Sequence, residues 1–281
     1  MTDADDPRLA DFADLKDAAL RADEFAGRRG VFIAEGEFVL RVLARTAYPI
    51  KTVLGTAQRL AAVADVIAGL APQVAVLCAD EALIRRLVGF DFHRGVLASG
   101  VRVPSAGMAA LARTSRGVVV VEGLTSPENL GSIFRSTAAL GGERVGVVLC
   151  PRTCDPLYRR VVRVSMGNVL RVPFERTEAW PGALDALRDA GFRVVALTPD
   201  AGATDIRELP AAGRAAEGGS GGASGGVLRY ALLLGSEGFG LSEAAMARAD
   251  VRARIPQAPG VDSLNVGVAC AVALHRLVEV E

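Results

Sequence analysis

Three short polar segments in the second half of the chain carry the residues whose types and spacing could do chemistry. The first is LTSPENLGSIFRSTAALGG (residues 124–142), which begins like a turn and continues as a helix, with Asn129 and Arg135 among small and apolar neighbours. The planar fork of an arginine suits two-point contacts with phosphate oxygens. Taken alone, the segment is more typical of a capped helix with one solvated arginine.

The second segment, GSEGFG, follows an apolar run and holds Glu237 between Gly235 and Gly238. It lacks the G-x-G-x-x-G order of dinucleotide-binding loops, and the chain has no G-K-[ST] phosphate loop. A carboxylate between glycines is either solvated in a turn or placed close to other backbone, where it orients a partner. By itself, the solvated turn is the favoured interpretation.

The third segment, DSLN, precedes a long apolar run and predicts the start of a helix. Asp262 or Ser263 is expected to be the N-cap, because aspartate and serine accept hydrogen bonds from the first turn of a helix. Asn265 is then expected in that first turn, where it faces either solvent or a ligand. Capping is the favoured role of Ser263 when this segment is considered alone.

Composition limits the class of protein. The 281 residues are 51% hydrophobic and 23% charged with a formal net charge of zero, which predicts a soluble protein of two domains and excludes a uniformly basic coat for nucleic acid. No apolar run approaches the roughly 20 residues of a membrane span, and the acidic start lacks the features of a signal peptide. We therefore expect a cytoplasmic location.

The metal-binding residue types are few and scattered. The four cysteines have no C-x-x-C spacing, and the two histidines are His93 and His275. These patterns predict no metal site and favour reduced structural thiols. Lysine occurs only at Lys16 and Lys51, so nearly all positive charge is arginine, which suits phosphate contacts but equally reflects a GC-rich coding bias.

The chain alternates between apolar strands and helical patterns, which predicts an α/β fold. Polar and small residues interrupt the alternation at 103–115, and we place a domain boundary there, giving domains 1–104 and 105–281. The second half has continuous valine and leucine runs, which are typical of a parallel sheet covered on both faces. Residues 213–226 are rich in glycine and serine and predict a flexible surface insertion, while the last helix, Leu264 to about Val278, is apolar on nearly every face and is expected to be buried.

Together, the three segments resemble the signature motifs of a known enzyme family. NLGSIFRSTAALG, LLLGSEGFGLSE and IPQAPGVDSLNVGVACAVAL, in this order and spacing, are similar to those of the SpoU (TrmH) class of RNA 2′-O-ribose methyltransferases, within the SPOUT superfamily. The resemblance covers about residues 117–280. It implies a knotted α/β methyltransferase domain with a mostly parallel sheet, which binds S-adenosyl-L-methionine and forms a homodimer. Residues 1–104 look like that family's small α/β substrate-binding domain, with a looser fit.

The resemblance also implies roles for individual residues. It places ribose positioning on Asn129, the main catalytic role on Arg135, support of the site on Glu237, and a catalytic polar pair on Ser263 and Asn265. Cofactor contacts in this family are largely main-chain, and the matching positions are Thr198, Gly235, Ile255 and Leu264. One departure is Gln257, where related sequences more often carry methionine, and another is Gly267, where they carry serine.

The chemistry requires few residues, because a sulfonium methyl donor is already activated and the enzyme must align the ribose oxygen and help remove its proton. An arginine is a poor general base, since its pKa exceeds about 12. We therefore expect Arg135 to orient the ribose and adjacent phosphate, with Ser263 or water assisting proton removal. The RNA substrate is expected to be ribosomal rather than transfer RNA. A catalytically silent RNA-binding or assembly protein of the same fold is the main alternative, and base-nitrogen methylation is a further one.

Overall fold

A computed structural model shows two compact units. The structure describes residues 3, 6–13, 15, 30–90, 95–213, 228–261 and 263–278. The first unit consists of residues 1–104 and 155–171, and the second of residues 105–154 and 172–281. The division between Pro104 and Ser105 lies within the polar stretch where the sequence suggests a boundary.

The first unit contains a four-stranded sheet in the order β1-β4-β2-β3. Strands β1 and β2 are antiparallel to β4, and β2 and β3 are parallel. The strands are β1 Val31–Glu35, β2 Ile50–Gly55, β3 Ala75–Cys78 and β4 Val96–Val101. The helices among them are α1 Glu37–Leu43, α2 Ala57–Ala61, α3 Ala64–Ala68 and α4 Glu81–Val88. Leucine, isoleucine and phenylalanine side chains from both layers form the core of this unit.

A later segment of the chain, Asp155–Arg171, packs with the first unit rather than with the second. It contains helix α7, Arg159–Val164. Arg159 donates a hydrogen bond to the buried carboxylate of Glu35 at 2.6 Å, and Arg102 makes a two-point contact with Asp155. These ion pairs hold Asp155–Arg171 to the first unit, whereas the sequence analysis places this segment in the domain 105–281.

The second unit contains a seven-stranded sheet in the order β7-β6-β5-β10-β8-β11-β9, in which all neighbouring strands are parallel. The strands are β5 Gly117–Val121, β6 Val145–Leu149, β7 Phe174–Arg176, β8 Phe192–Leu197, β9 Thr204–Asp205, β10 Arg229–Leu234 and β11 Val251–Arg254. The helices are α5 Met108–Thr114, α6 Pro127–Gly141, α8 Gly182–Asp189, α9 Glu243–Met246 and α10 Val266–Leu277. Because the strands are parallel, the segments after β5, β8, β10 and β11 all leave the sheet at one edge.

The last helix differs from its prediction. Helix α10 begins at Val266, two residues later than expected, and packs against α6. It is not buried on nearly every face, since Val268 is 49% exposed and Val272 is 41% exposed. These valines lie four residues apart and so share one face of the helix, which no described part of the chain covers. The predicted insertion, apart from Gly213, lies outside the described residues.

Within the described ranges, no helix is long and apolar enough to cross a membrane.

Candidate active site

Helix α6 begins at the first of the three polar segments. Ser126 is its N-cap, and the Ser126 hydroxyl accepts a hydrogen bond from the backbone N–H of Asn129 at 3.3 Å. Pro127 occupies the first helical position, where its missing N–H costs nothing. The helix therefore begins before Asn129, which lies in its first turn.

The three polar segments meet through Asn265. Its side-chain amide nitrogen donates to the side-chain oxygen of Asn129 at 2.9 Å and to a carboxylate oxygen of Glu237 at 3.0 Å. The structure thus brings together three of the five residues to which the resemblance assigns a role in catalysis. We name Asn129, Glu237 and Asn265 the polar cluster.

Asn265 is also the N-cap of α10, so the prediction that Asp262 or Ser263 caps this helix was wrong. The side-chain oxygen of Asn265 accepts from the backbone N–H groups of Gly267 and Val268 at 3.0 and 3.3 Å. A capping side chain must immediately precede the first helical residue, and only Asn265 does so here. Asn265 therefore uses its oxygen on the helix and its nitrogen on the polar cluster.

The loop that carries Glu237 is a tight turn. The backbones of Ser236 and Gly240 exchange two hydrogen bonds, at 3.0 and 3.2 Å. A Cβ atom on Gly235 would lie only 2.3 Å from the carbonyl carbon of Gly240, so only glycine fits at this position. Gly238 has φ of 92°, in the region that favours glycine. These backbone requirements explain the glycine spacing in GSEGFG.

A buried carboxylate next to this loop was not predicted from the sequence. Glu122, 2% exposed, follows β5 and accepts hydrogen bonds from the backbone N–H and hydroxyl of Ser242 at 2.9 and 2.8 Å, and from the indole N–H of Trp180 at 2.9 Å. Ser242 follows the Gly235–Gly240 turn and caps α9. The sequence contains one signal for it, because Glu122 comes directly after the uninterrupted apolar run GVVVV. A charged residue that is buried at the end of such a strand needs hydrogen-bond partners.

A cleft of about 860 Å³ opens beside the polar cluster. All four residues expected to contact the cofactor through their backbone line it, together with three of the expected catalytic residues. These are Thr198, Gly235, Ile255 and Leu264, and Glu237, Ser263 and Asn265. Leucine, phenylalanine, valine and methionine side chains supply much of the remaining wall. Asn129 does not line the cleft but is tied to it through Asn265.

Arg135 lies apart from the cleft. Its side chain is exposed on α6, six residues after Asn129, and it does not line the cleft walls. Six residues correspond to about 9 Å along a helix, so the two side chains are not neighbours on one turn. The structure of the single chain therefore brings Asn129 and Asn265 together but leaves Arg135 facing solvent.

The described residues contain no group of three or more histidine, cysteine, aspartate or glutamate side chains that could hold a metal ion. All four cysteines are free, and only Cys78 is exposed. Burial raises the pKa of the Cys270 thiol to about 12, so this thiol stays protonated.

The three motif segments, the parallel sheet and the lined cleft agree with a match to a known family. Residues 116–275 match the SpoU rRNA Methylase family. The chain belongs to this family. The SpoU match covers the part of the chain that contains the polar cluster, the Gly235–Gly240 turn and α10.

Relatives of this SpoU chain extend over nearly its whole length. An uncharacterized tRNA/rRNA methyltransferase of Mycobacterium tuberculosis is 41% identical over 276 residues, covering 98% of this chain and 90% of the relative. Two crystal structures of an rRNA methyltransferase from Sinorhizobium meliloti are 26% identical and cover 98% of this chain and 95% of theirs. Their TM-scores are 0.76 and, with AdoMet bound, 0.73. The chain is thus an RNA methyltransferase of the SpoU family with that α/β fold.

Proposed function

We propose that the protein transfers a methyl group from S-adenosyl-L-methionine to a ribose 2′-hydroxyl of RNA. The observation that carries this proposal is the polar cluster at the edge of a cleft whose walls include every residue expected to contact the cofactor. The reaction needs no metal ion and no covalent intermediate, because it requires only that the ribose oxygen is aligned with the methyl group and loses its proton.

The residues of the cleft fit S-adenosyl-L-methionine. Apolar side chains such as Leu197, Met246 and Ile255 suit the adenine ring. The backbone of Gly235 also lines the cleft, at a position in the turn where a side chain would not fit. Thr198, Ile255 and Leu264 offer further backbone groups from the segments after β8 and β11. When bound, the cofactor supplies an activated methyl group on a sulfonium centre.

The polar cluster positions the ribose in this proposal. Asn265 holds Asn129 and Glu237 in fixed orientations through its amide nitrogen, so neither has to be ordered when RNA binds. Asn129 then contacts the ribose, and Ser263, which is exposed in the cleft wall, assists removal of the 2′-hydroxyl proton directly or through water. Glu237 acts as a positioning residue for Asn265.

Arg135 contacts the RNA in this proposal. Its exposure on α6 leaves the guanidinium accessible to a large ligand, and its planar fork suits a phosphate next to the target ribose. It stabilises negative charge that develops on the ribose oxygen rather than accepting the proton, since arginine stays protonated in proteins.

We further propose a homodimer in the cytoplasm with a knotted second domain. The exposed face of α10, formed by Val268 and Val272, is apolar and adjoins α6, so a second copy would bury it. The α10 start also lines the cleft through Val266, which would place the cofactor site next to the dimer contact.

Residues 1–104 are proposed to bind the RNA substrate, with ribosomal RNA favoured over transfer RNA. We propose four arginines of this segment for contacts with RNA phosphates, and three of them, Arg28, Arg29 and Arg94, lie outside the described residues. The fourth, Arg41, makes a two-point ion pair with Asp65. Because Asp65 partly neutralises its charge, Arg41 attracts a phosphate less strongly than an unpaired arginine would.

The proposal is tested by mapping ribose methylation in RNA from cells with and without the gene. A single 2′-O-methyl group that disappears with the gene and returns with the wild-type protein, in ribosomal RNA, is the expected result. Restoration must fail with an Asn129→Ala variant of equal abundance. A missing base methylation with unchanged ribose methylation would contradict ribose chemistry, and no change in any RNA would favour the catalytically silent alternative.

A further inference from the structure

Phe239 stands almost entirely in solvent at the mouth of the cleft. It is 97% exposed, the highest value among the exposed large apolar side chains of the described residues. It nevertheless lines the cleft, together with Glu237 and Leu264. A single exposed apolar residue is ordinary on a protein surface, but a whole aromatic ring gains nothing from the hydrophobic effect while it stays in water. What distinguishes Phe239 is that it does so at the edge of the candidate active site.

The turn that carries Phe239 does not need a phenylalanine in order to form. Gly238 and Gly240, on either side of it, have φ of 92° and 65°, in the region that favours glycine. Two backbone hydrogen bonds between Ser236 and Gly240 close the turn. A Cβ atom on Gly238 or on Gly240 would meet no other atom within 4 Å, so the space around the tip is open. The backbone therefore presents the ring at a defined position with free room beside it.

Phe239 also lies within one nucleotide's reach of the polar cluster. It follows Glu237 by two residues, and Cα atoms at that separation are at most about 7 Å apart. The Glu237 carboxylate accepts from Asn265 at 3.0 Å, and Asn265 also donates to Asn129. A ribose that contacts Asn129 would therefore carry its base close to the ring of Phe239.

We infer that Phe239 stacks on an unpaired base of the substrate RNA at the methylation site. This inference rests on the proposed function. Every nucleobase has a flat π-face, and proteins commonly recognise unpaired RNA bases by stacking them on aromatic side chains. The carboxylate of Glu237 would repel a phosphate at this turn, whereas a base is neutral. Phe239 is thus a substrate-binding residue that favours an unstacked nucleotide over a paired one, without choosing among the four bases.

The first test measures the RNA concentration that half-saturates single-turnover methyl transfer, with ribosomal RNA from cells that lack the gene. Phe239→Ala and Phe239→Leu should need about tenfold more RNA, because base–aromatic stacking is lost, and Phe239→Trp should need no more than wild type. Leucine keeps an apolar side chain without a ring, so it separates stacking from simple apolar contact. Val261→Ala is the matched control and should match wild type, since Val261 is 54% exposed but does not line the cleft.

The second test uses Phe239→Trp as a direct probe of the contact. A base that stacks on an indole quenches its emission. The same RNA should therefore quench the additional fluorescence of Phe239→Trp beyond any change in wild type, whose only tryptophan is Trp180. Calorimetry and light scattering complete the comparison. Because Phe239 is almost fully exposed, Phe239→Ala should keep the wild-type affinity for S-adenosyl-L-methionine, mass in solution and unfolding temperature.

Four results would overturn the inference. Weaker binding of S-adenosyl-L-methionine by Phe239→Ala would place the ring against the cofactor, and a changed mass in solution would place it against a second copy of the chain. Wild-type RNA dependence of Phe239→Ala, or no added quenching in Phe239→Trp, would show that no base stacks there. Quenching does not require catalysis, so a wild type that binds RNA but transfers no methyl group would contradict the proposed function while the fluorescence still decides the inference.

Discussion

Arg135 is the residue at which the family resemblance and the single-chain structure differ most. It is expected to do the main catalytic work, yet it is exposed and does not line the cleft. If it acts on bound RNA, Arg135→Ala should lower single-turnover methyl transfer on the order of a hundredfold, as loss of one preorganised donor does in other enzymes. Arg135→Lys should recover little, since a point charge does not reproduce the planar fork.

Cofactor binding provides the control for this experiment. Because Arg135 lies outside the cleft walls, affinity for S-adenosyl-L-methionine and the unfolding temperature should be unchanged in both variants. If Arg135→Ala transferred methyl groups at the wild-type rate, Arg135 would be an ordinary solvated helix residue with no role in catalysis.

Asn265 has two separable roles, which one substitution can divide. Asn265→Asp keeps the oxygen that caps α10 but replaces the amide donor with a second carboxylate oxygen beside Glu237. We expect stability within about 1 kcal/mol of wild type, because the cap survives, and a large loss of methyl transfer. Asn265→Ala removes both roles. It should lose methyl transfer as Asn265→Asp does and, because the cap is lost, should in addition lower the free energy of unfolding by about 1 kcal/mol. Equal turnover by Asn265→Asp and wild type would show that the polar cluster does not need this donor.

At the scale of elements, Glu122 holds the end of β5 to the start of α9. Glu122→Gln should lower the free energy of unfolding by about 1–3 kcal/mol, since one carboxylate oxygen becomes a donor that faces the donors of Ser242 and Trp180. Urea unfolding followed by circular dichroism measures the loss. Glu208→Gln, an exposed carboxylate of the same unit, is the matched control and should change stability by less than about 0.5 kcal/mol.

The elements themselves were largely predictable, and their boundaries and partners were not. Continuous apolar runs such as GVVVV predicted buried parallel strands correctly, because burial on both faces leaves no room for polar alternation. The cap of α10 was misplaced because three residues of capping type, Asp262, Ser263 and Asn265, precede the helix, and local pattern does not choose among them. The packing of Asp155–Arg171 with the first unit depends on charge pairs 53 to 124 residues apart, which no local pattern contains.

The cleft was predictable only through the resemblance. Thr198, Gly235, Ile255 and Leu264 are unremarkable individually, and their meeting depends on the strand order around β10, which composition and periodicity do not reveal. Glu122 was not assigned any role, because its importance lies in its burial and in its hydrogen-bond partners. Those are properties of the folded chain.

At the scale of the whole molecule, the exposed valines of α10 predict the oligomeric state. Light scattering should give the mass of a dimer for wild type, and Val268→Glu should shift the protein to a monomer, because a charge on this face would be buried without a partner. Phe38→Glu, on an equally exposed apolar residue of the first unit, is the control and should remain dimeric. A monomeric wild type, or a dimeric Val268→Glu, would place any dimer contact elsewhere.

The hydrogen bond between Trp180 and Glu122 gives the protein a built-in optical probe. Trp180 is the only tryptophan of the chain, and its indole N–H donates to the Glu122 carboxylate, which also accepts from Ser242, two residues after the Gly235–Gly240 turn. Indole emission depends on the charge and polarity around the ring, so all tryptophan fluorescence of this protein originates beside the cleft. Movement of that turn can therefore be followed in real time, at one site, without attaching a dye.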